Sequence, residues 1–487
     1  MKRLFCTLLI AGLAFTAAAK PKHLLVVSVT KGFRHSSIPV AERIIGELAY
    51  RTGDFTVEYA AVEPTDAQFK GADGKPDNAK VDAAISRVLA EKMSPSALEA
   101  YDGVIFVNTT GTLPIPDTDA FLKWIADGKA FIGMHSATDT FHSGTEMPSP
   151  YTQMINGAFL THGPQVEVQC LNADHNHPAT AHLGDSITLY DEIYILKHYQ
   201  RQATRSLLDL DKHPNSKDPG HYPIAYCHEY GKGKVFYTSL GHREDIWDPA
   251  WKDNNGNRRN SPEIALAYQE HILGGIRWAL GLAKGSGKPQ DLEYKVSRDD
   301  SREGFKPLFN GENLNGWYQR NAEASNTWSA ENGMLVNKLP RNRQGQRPHG
   351  VDLVTEKQYW NFTVRFEYMV PEGSNSGFYL RGRHEIQILD DAKSGSPSPG
   401  GNGSIYNHTP ASRNVSRPAG EWQTVEATMI GDRVTVILNG VKVIDNVVVE
   451  RATGSELDIN VNEPGSLFLQ GDHGPVAFRN MRIKELK

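Results

Sequence analysis

Three histidines stand just beyond runs of apolar, largely β-branched residues: His35 after residues 23–29, His135 after residues 129–134 and His242 after residues 234–238. Ligands of open parallel sheets bind outside the carboxyl ends of the strands, so the polar residues following each run are expected to gather at one rim. Arg34 and His35, residues 108–111, His135 with Asp139, and residues 239–243 are those candidates, with His162 and His177 in loops between them. Imidazoles beside the carboxylates Asp139 and Glu192 suit two chemistries. They can hold a divalent metal such as zinc, with a position left for water or substrate, and His35, His135 and His242 are then its expected ligands. They can also act as general acid and base without a metal. His135 stands in both sets, and Arg34 and Asp139 are the residues expected to meet a substrate. No HExxH or comparable local spacing chooses between the two. Loops of any α/β protein are polar, but three histidines at matching strand ends exceed what solvation alone asks for.

A second concentration of chemistry lies at residues 375–387, NSGFYLRGRHEIQ. Read as one strand, its alternation puts Asn375, Tyr379, Arg381, Arg383, Glu385 and Gln387 on one face. Ser376, Phe378, Leu380, Gly382, His384 and Ile386 fall on the other. Amide, phenol, guanidinium and carboxylate groups make poor core material. Such a face is either the solvated side of an antiparallel sheet or a sugar-binding surface, since hydroxyl-rich ligands need fixed donors and acceptors beside an aromatic ring.

The elements that must carry these groups differ between the two halves. Residues 23–281 alternate short buried-strand runs with helical spacing, as at 117–127 and 262–282. That pattern predicts an α/β domain over residues 20–282 with an open, mostly parallel sheet and helices on both sides. Residues 283–302 begin small and polar and read as a linker. Beyond them the period changes to two: at 361–370, Phe362, Val364, Phe366, Tyr368 and Val370 share one face. Asn439-Gly440 inside 433–443 is a strong hairpin signal. Residues 303–487 are therefore expected to form an all-β jelly-roll sandwich.

Composition narrows the partners. The 487 residues carry 52 basic and 57 acidic side chains, a formal net charge of −5. No basic field is available for nucleic acid or anionic lipid, and a neutral, sugar-like ligand is the natural default. Residues 1–19 have a basic start at Lys2 and Arg3, an apolar stretch and a small-residue Ala17-Ala18-Ala19 end. This is the pattern of a cleavable export leader, shorter than the ~20 apolar residues of a membrane span, and it predicts a periplasmic or secreted protein. No later stretch is long and apolar enough to span. Cys170 and Cys227 remain after removal of the leader, and the sequence leaves open whether they pair.

Several separated motifs resemble known families. KGFRHSSI at 31–38, FIGMHSATDT at 131–140, HNHPAT at 175–180, DEIY at 191–194 and SLGHRED at 239–245 resemble the trehalose-utilisation (ThuA-like) family over about residues 21–281. The resemblance implies a fold similar to the glutamine amidotransferases. Their nucleophile elbow reads G-x-C-x-G, whereas here the stretch is Gly133-Met134-His135-Ser136-Ala137. His135 takes the cysteine's place, so thiolate attack is excluded there.

LFNGENLNGW at 308–317, NSGFYLRGRHEIQILD at 375–390, GSIYNHTP at 403–410, EWQT at 421–424 and LFLQGDHGPVAFRNMRI at 467–483 look like a 3-keto-disaccharide hydrolase domain. This likeness runs over about residues 305–486, departs at a basic insert around Arg341-Asn342-Arg343 and at Gln423, and implies a concanavalin/laminin-G-like sandwich. It also implies substrates oxidised at sugar C3, where the ketone acidifies the C2 hydrogen. Base-driven enolisation, loss of the C1 substituent and addition of water then give net hydrolysis, without the paired carboxylates of ordinary glycosidases. Glu385 or His473 would be the base, Arg381 and Gln387 would meet the ketone or enolate, and Tyr406 the leaving group. Asn375, Tyr379, Arg383, Asp390 and Gln470 would hold the sugar. A sugar 3-dehydrogenase is the implied upstream partner. Two alternatives stand beside this reading: a glycan-binding sandwich attached to a metal-assisted α/β hydrolase, and a non-catalytic glycan-binding surface protein.

Overall fold

A computed structural model of the chain describes residues 20–486 apart from 143–146, 293, 341, 343, 344 and 395. Residues 1–19, where a leader is expected, and the insert's Arg341 and Arg343 lie outside the described residues. The N-terminal half is built on a nine-stranded sheet. Five strands run parallel in the order Phe55–Ala60, Lys22–Val27, Gly103–Val107, Ala130–Met134, Gly233–Thr238. Pro219–Tyr230, Arg205–Lys212, Val166–Asn172 and Ser186–Asp191 continue the sheet antiparallel. The expected mostly parallel sheet is thus a mixed one. The turn at Gly231, with φ 61°, returns the chain directly alongside itself, and a two-residue hairpin can join only antiparallel strands.

The continuous apolar runs follow from burial on both faces. Leu24 and Val26 pack under the helices Ile38–Thr52 and Pro262–Ala279, while Leu25 and Val27 pack under Asn78–Lys92 and Thr118–Ala126. Ile105 and Val107 against Val104 and Phe106 repeat the division. Asp117 caps one helix by accepting from Ala120 N at 2.8 Å, and Pro262 opens another behind the Ser261 cap. Among the described residues no helix is long and apolar enough to cross a membrane. Cys170 and Cys227 are free and buried, so the open question of their pairing is answered by two separate thiols. Burial pushes both thiols well above the ordinary range.

The C-terminal half is a sandwich of two antiparallel sheets. One has eight strands, including Phe362–Met369, Gln423–Ile430, Arg433–Leu438 and Val476–Glu485. The other orders Trp317–Gln319, Leu353–Tyr359, Gly465–Leu469, Asn375–Leu380 and His384–Leu389. Phe362, Val364, Phe366, Tyr368 and Val370 lie in the core between them, as the period-two pattern requires. Asn439 and Gly440 both have positive φ, 51° and 78°, and make the expected hairpin turn.

Residues 375–387 are not one strand. Asn375–Leu380 and His384–Leu389 form a hairpin turned at Arg381 and Gly382, with φ 52° and 70°.

The segment after Leu282 is held rather than free. Gln290 Oε1 accepts from Arg201 Nη2 at 3.0 Å and Ser206 N at 2.9 Å. The two halves also touch directly: Trp422 Nε1 donates to Asp211 at 2.6 Å, Arg347 to Asp218 at 3.0 Å, and Arg201 Nε to Asn332 at 3.1 Å. A cleft of about 780 Å³ lies along this junction. Charged groups in its wall pair with one another or with the sheet behind, Lys338 with Glu331 at 2.6 Å and His221 with Asp209 at 2.9 Å.

Candidate functional site

The hairpin of the smaller sheet sets Tyr379 opposite Glu385 and Gly377 opposite Gln387. These residues face away from the sandwich core, because Phe378, Ile386 and Ile388 take the inner side. On that outer face the Tyr379 ring stacks on Phe468, centroids 3.7 Å apart, and its hydroxyl donates to Glu385 Oε2 at 2.7 Å. The missing side chain at Gly377 makes room for the carboxylate: a Cβ there would lie 2.3 Å from Glu385 Oε1. Glu385 is only 3% exposed. Burial pushes its carboxyl up to about 7, against the opposing pull of the Tyr379 donor and of His473, and with Asp352 and Asp472 adding to the rise. A carboxyl that is half ionised near neutral pH is matched to proton transfer.

Around this pair, Gln387 Nε2 donates to Asn375 Oδ1 at 3.2 Å, and Gln470 lends its N–H to Gly377 while its buried side-chain Oε1 has no partner among the described residues. His473, half exposed, sits 2.5 Å from Asp472. Asp352 accepts from Gly471 N at 3.0 Å, and burial raises its carboxyl as well. Arg320 lies 3.3 Å from Asp352 and over the Phe468 ring. Phe468 and Asp472 lie within the motif at 467–483 but were not among its expected site residues, and Asp352 and Arg320 lie outside every motif. The strand-end position of Asp352 and the adjacency of Asp472 to His473 were the available signals.

Other expected members of this face lie elsewhere. Arg381 turns away at its left-handed φ, stacks 3.5 Å over Trp360 and donates Nε to the Trp360 carbonyl at 2.8 Å. Burial with Arg383 nearby lowers its guanidinium to about 10. Arg383 forks onto Asp458 at 2.6 and 3.0 Å and reaches the Glu463 carbonyl at 2.8 Å, a clamp across the loop. Period-two alternation fails for both because they occupy the turn. Asp390 accepts from Gly373 N at 2.9 Å and braces a loop. Tyr406 gives its backbone N–H to the Glu385 carbonyl at 3.0 Å and leaves its ring exposed. Gln423 is a buried brace holding Arg417 N and Asn439 Nδ2 at 3.0 and 2.8 Å.

In the α/β half, the carboxyl ends of the parallel strands do gather His35, His135 and His242, and Glu192 joins them. Their ligating atoms all lie within 4.8 Å of one another. His135 occupies a strand-to-turn elbow with φ 45°. Its Nδ1 lies 2.8 Å from the Ser239 carbonyl, so Nδ1 carries the proton and Nε2 faces the cluster. His35 Nδ1 is 3.3 Å from Ser136 Oγ, which leaves its Nε2 inward. Burial lowers His35 to about 4 and also holds His135 well below the ordinary imidazole range, whereas Glu192 raises His242 despite its burial.

Buried Asp191 accepts from Gly241 N at 2.8 Å and Arg243 N at 3.2 Å, drawing the Glu192 segment to the His242 loop. His162, on a small ribbon paired with Tyr194, meets Glu192 Oε2 at 3.0 Å. Asp139, pushed up to about 6 by burial, stands 3.7 Å from His142. Arg34 is spent on Ser28 O at 3.1 Å and Glu63 at 3.0 Å. His177 does not reach this rim: it packs on Trp278 and lies 3.6 Å from Cys227 Sγ.

Comparison with known proteins divides the chain the same way. Residues 23–254 match the trehalose utilisation (ThuA) domain, and residues 304–484 match the 3-keto-alpha-glucoside-1,2-lyase-like domain. A 3-keto-disaccharide hydrolase of Bacteroides thetaiotaomicron is 26% identical over 228 residues, covering 41% of this chain and 69% of the relative. Among solved structures, a Parabacteroides distasonis protein described as a glycosyl hydrolase aligns at 23% identity over 40% of this chain and 100% of its own, TM-score 0.34. A ThuA-like protein of Bacteroides uniformis aligns at 18% identity over 57% of this chain and 99% of its own, TM-score 0.39.

Proposed function

We propose, for a chain that joins a trehalose-utilisation domain to a 3-keto-alpha-glucoside-1,2-lyase-like domain, that the protein is a carbohydrate hydrolase whose sandwich cleaves 3-keto-glycosides at Glu385. The observation that carries this reading is the buried Glu385 carboxyl, poised near 7 and 2.7 Å from the Tyr379 hydroxyl. Ionised Glu385 takes the C2 proton of a sugar already oxidised at C3. The electron pair moves into the C2–C3 bond and charge collects on the C3 oxygen. Gln387 and its partner Asn375 offer the nearby amide donors for that oxygen. Collapse of the enolate expels the C1 substituent, which leaves with a proton from the half-exposed His473–Asp472 pair. Water then adds at C1, giving its proton back to the His473–Asp472 pair while Glu385 returns its proton to C2, so the sum is hydrolysis with no net redox change. Tyr379 holds the carboxylate in place and steadies its charged form.

The substrate must first be oxidised at C3, so a sugar 3-dehydrogenase belongs upstream, and the leader-like pattern at residues 1–19 supports a reaction in the periplasm or outside the cell. The test is release of glucose from 3-keto-trehalose by the full chain and by its Glu385→Gln variant, with the 2-hydroxy-glycal intermediate followed by mass spectrometry. Release by the wild type and its loss in the variant support the reading. Undiminished turnover by the variant removes Glu385 from the base role.

A further inference from the structure

We infer that the α/β domain carries a metal centre of its own: His35, His135, His242 and Glu192 bind one divalent ion of the zinc class at the carboxyl-end rim of the sheet. This goes beyond the sandwich reaction and does not depend on it. Tetrahedral zinc with bonds of ~2.0–2.1 Å holds its ligand atoms about 3.3 Å apart. His242 Nδ1 stands 3.3 Å from His135 Nε2 and 3.2 Å from Glu192 Oε1, the third edge of that triangle, His135 Nε2 to Glu192 Oε1, is 3.8 Å, and the fourth ligand, His35, keeps all of its edges within 4.8 Å. The three imidazoles meet at interplanar angles of 86°, 85° and 77°, edge to face rather than with rings stacked.

The tautomers are prepared for the ion. The carbonyl of Ser239 fixes the Nδ1 proton of His135, so it offers Nε2, and the hydroxyl of Ser136 can accept an Nδ1 proton from His35, which frees Nε2 of that ring for the ion. Glu192 keeps one oxygen for the cluster and gives the other to His162 Nδ1 at 3.0 Å. A carboxylate held by an outer histidine in this way is a braced ligand. His162 itself is 43% exposed and marks the side from which an ion enters.

Without an ion, His242 Nδ1 has one proton for two acceptors, His135 Nε2 and Glu192 Oε1, and that hydrogen-bonded network is the competing description. Nitrogen-rich ligation excludes magnesium and calcium and favours zinc, cobalt or copper. The strained elbow at His135, with φ 45°, then has a physical purpose, since it lifts the imidazole over the strand end where the other three ligands converge.

The experiment strips the purified full chain with dipicolinate, reloads it with Zn²⁺ or Co²⁺ alone, removes excess ion by gel filtration and measures metal per chain together with the visible spectrum. About one equivalent per chain, with the intense d–d bands of tetrahedral Co²⁺, is expected. His242→Ala and Glu192→Gln should lower retention at least tenfold, and His175→Ala, at an exposed loop position, should leave the spectrum unchanged. No retained ion in the wild type, or weak octahedral bands only, overturns the site in favour of a hydrogen-bonded histidine network. Full retention by both ligand variants overturns it as well, since the ion then sits elsewhere. The wild-type cobalt spectrum decides even where a variant does not fold.

Discussion

Replacing Glu385 by glutamine should stabilise the sandwich while it abolishes turnover, and the size of that gain follows from the carboxyl's surroundings. In the unfolded chain the group titrates near its ordinary 4.5, and in the fold burial moves it to about 7. A raised carboxyl binds its proton more tightly in the native state, so ionisation works against folding. Below pH 4.5 both states are protonated and nothing is lost. Between 4.5 and about 7 the native state progressively loses stability, and above 7 the full penalty is present. At about 1.4 kcal/mol per pKa unit the penalty is about 3 kcal/mol. Glutamine keeps an oxygen for the Tyr379 hydroxyl and carries no charge, so the variant escapes the penalty. Denaturant unfolding of wild type and Glu385→Gln should therefore diverge by about 3 kcal/mol at pH 8 and converge at pH 4.5. A difference independent of pH, or a variant less stable at pH 8, would refute the argument that burial poises this carboxyl.

Tyr379→Phe keeps the stack on Phe468 and removes the 2.7 Å donor that lowers Glu385, so the ionisation that switches on turnover should move to higher pH in a pH–rate profile. Gly377→Ala places a methyl 2.3 Å from Glu385 Oε1 and must swing that flexible side chain off Tyr379. Loss of one charged hydrogen bond of ~1.5–3 kcal/mol at the proton-transferring carboxylate should lower kcat/KM roughly 10- to 100-fold. Arg383→Ala, by contrast, loses the fork on Asp458 and should cost about 2–3 kcal/mol in chemical denaturation, because its role is to clamp the loop.

Much was legible in the chain because burial on two faces and burial on one face leave different patterns. Residues 24–27 had to be apolar throughout, since neighbours enter opposite cores, and residues 362–370 had to alternate, since only one face meets a core. The ends of the parallel runs likewise located His35, His135 and His242, and the polar strand located Glu385, Tyr379 and Gln387. Tertiary structure alone decided the rest. A turn conformation at residues 381–382 removed Arg381 and Arg383 from the face that alternation assigned them. Asp191, holding Gly241 and Arg243 from a strand at the far edge of the sheet, decided which of the two expected carboxylates joins the histidines, bringing Glu192 there while Asp139 stands beside His142, and His177 went to Trp278 instead. Local sequence determines period and burial because those depend on neighbours along the chain. The meeting of side chains from distant strands depends on how the sheet twists and closes, and no local spacing encodes that.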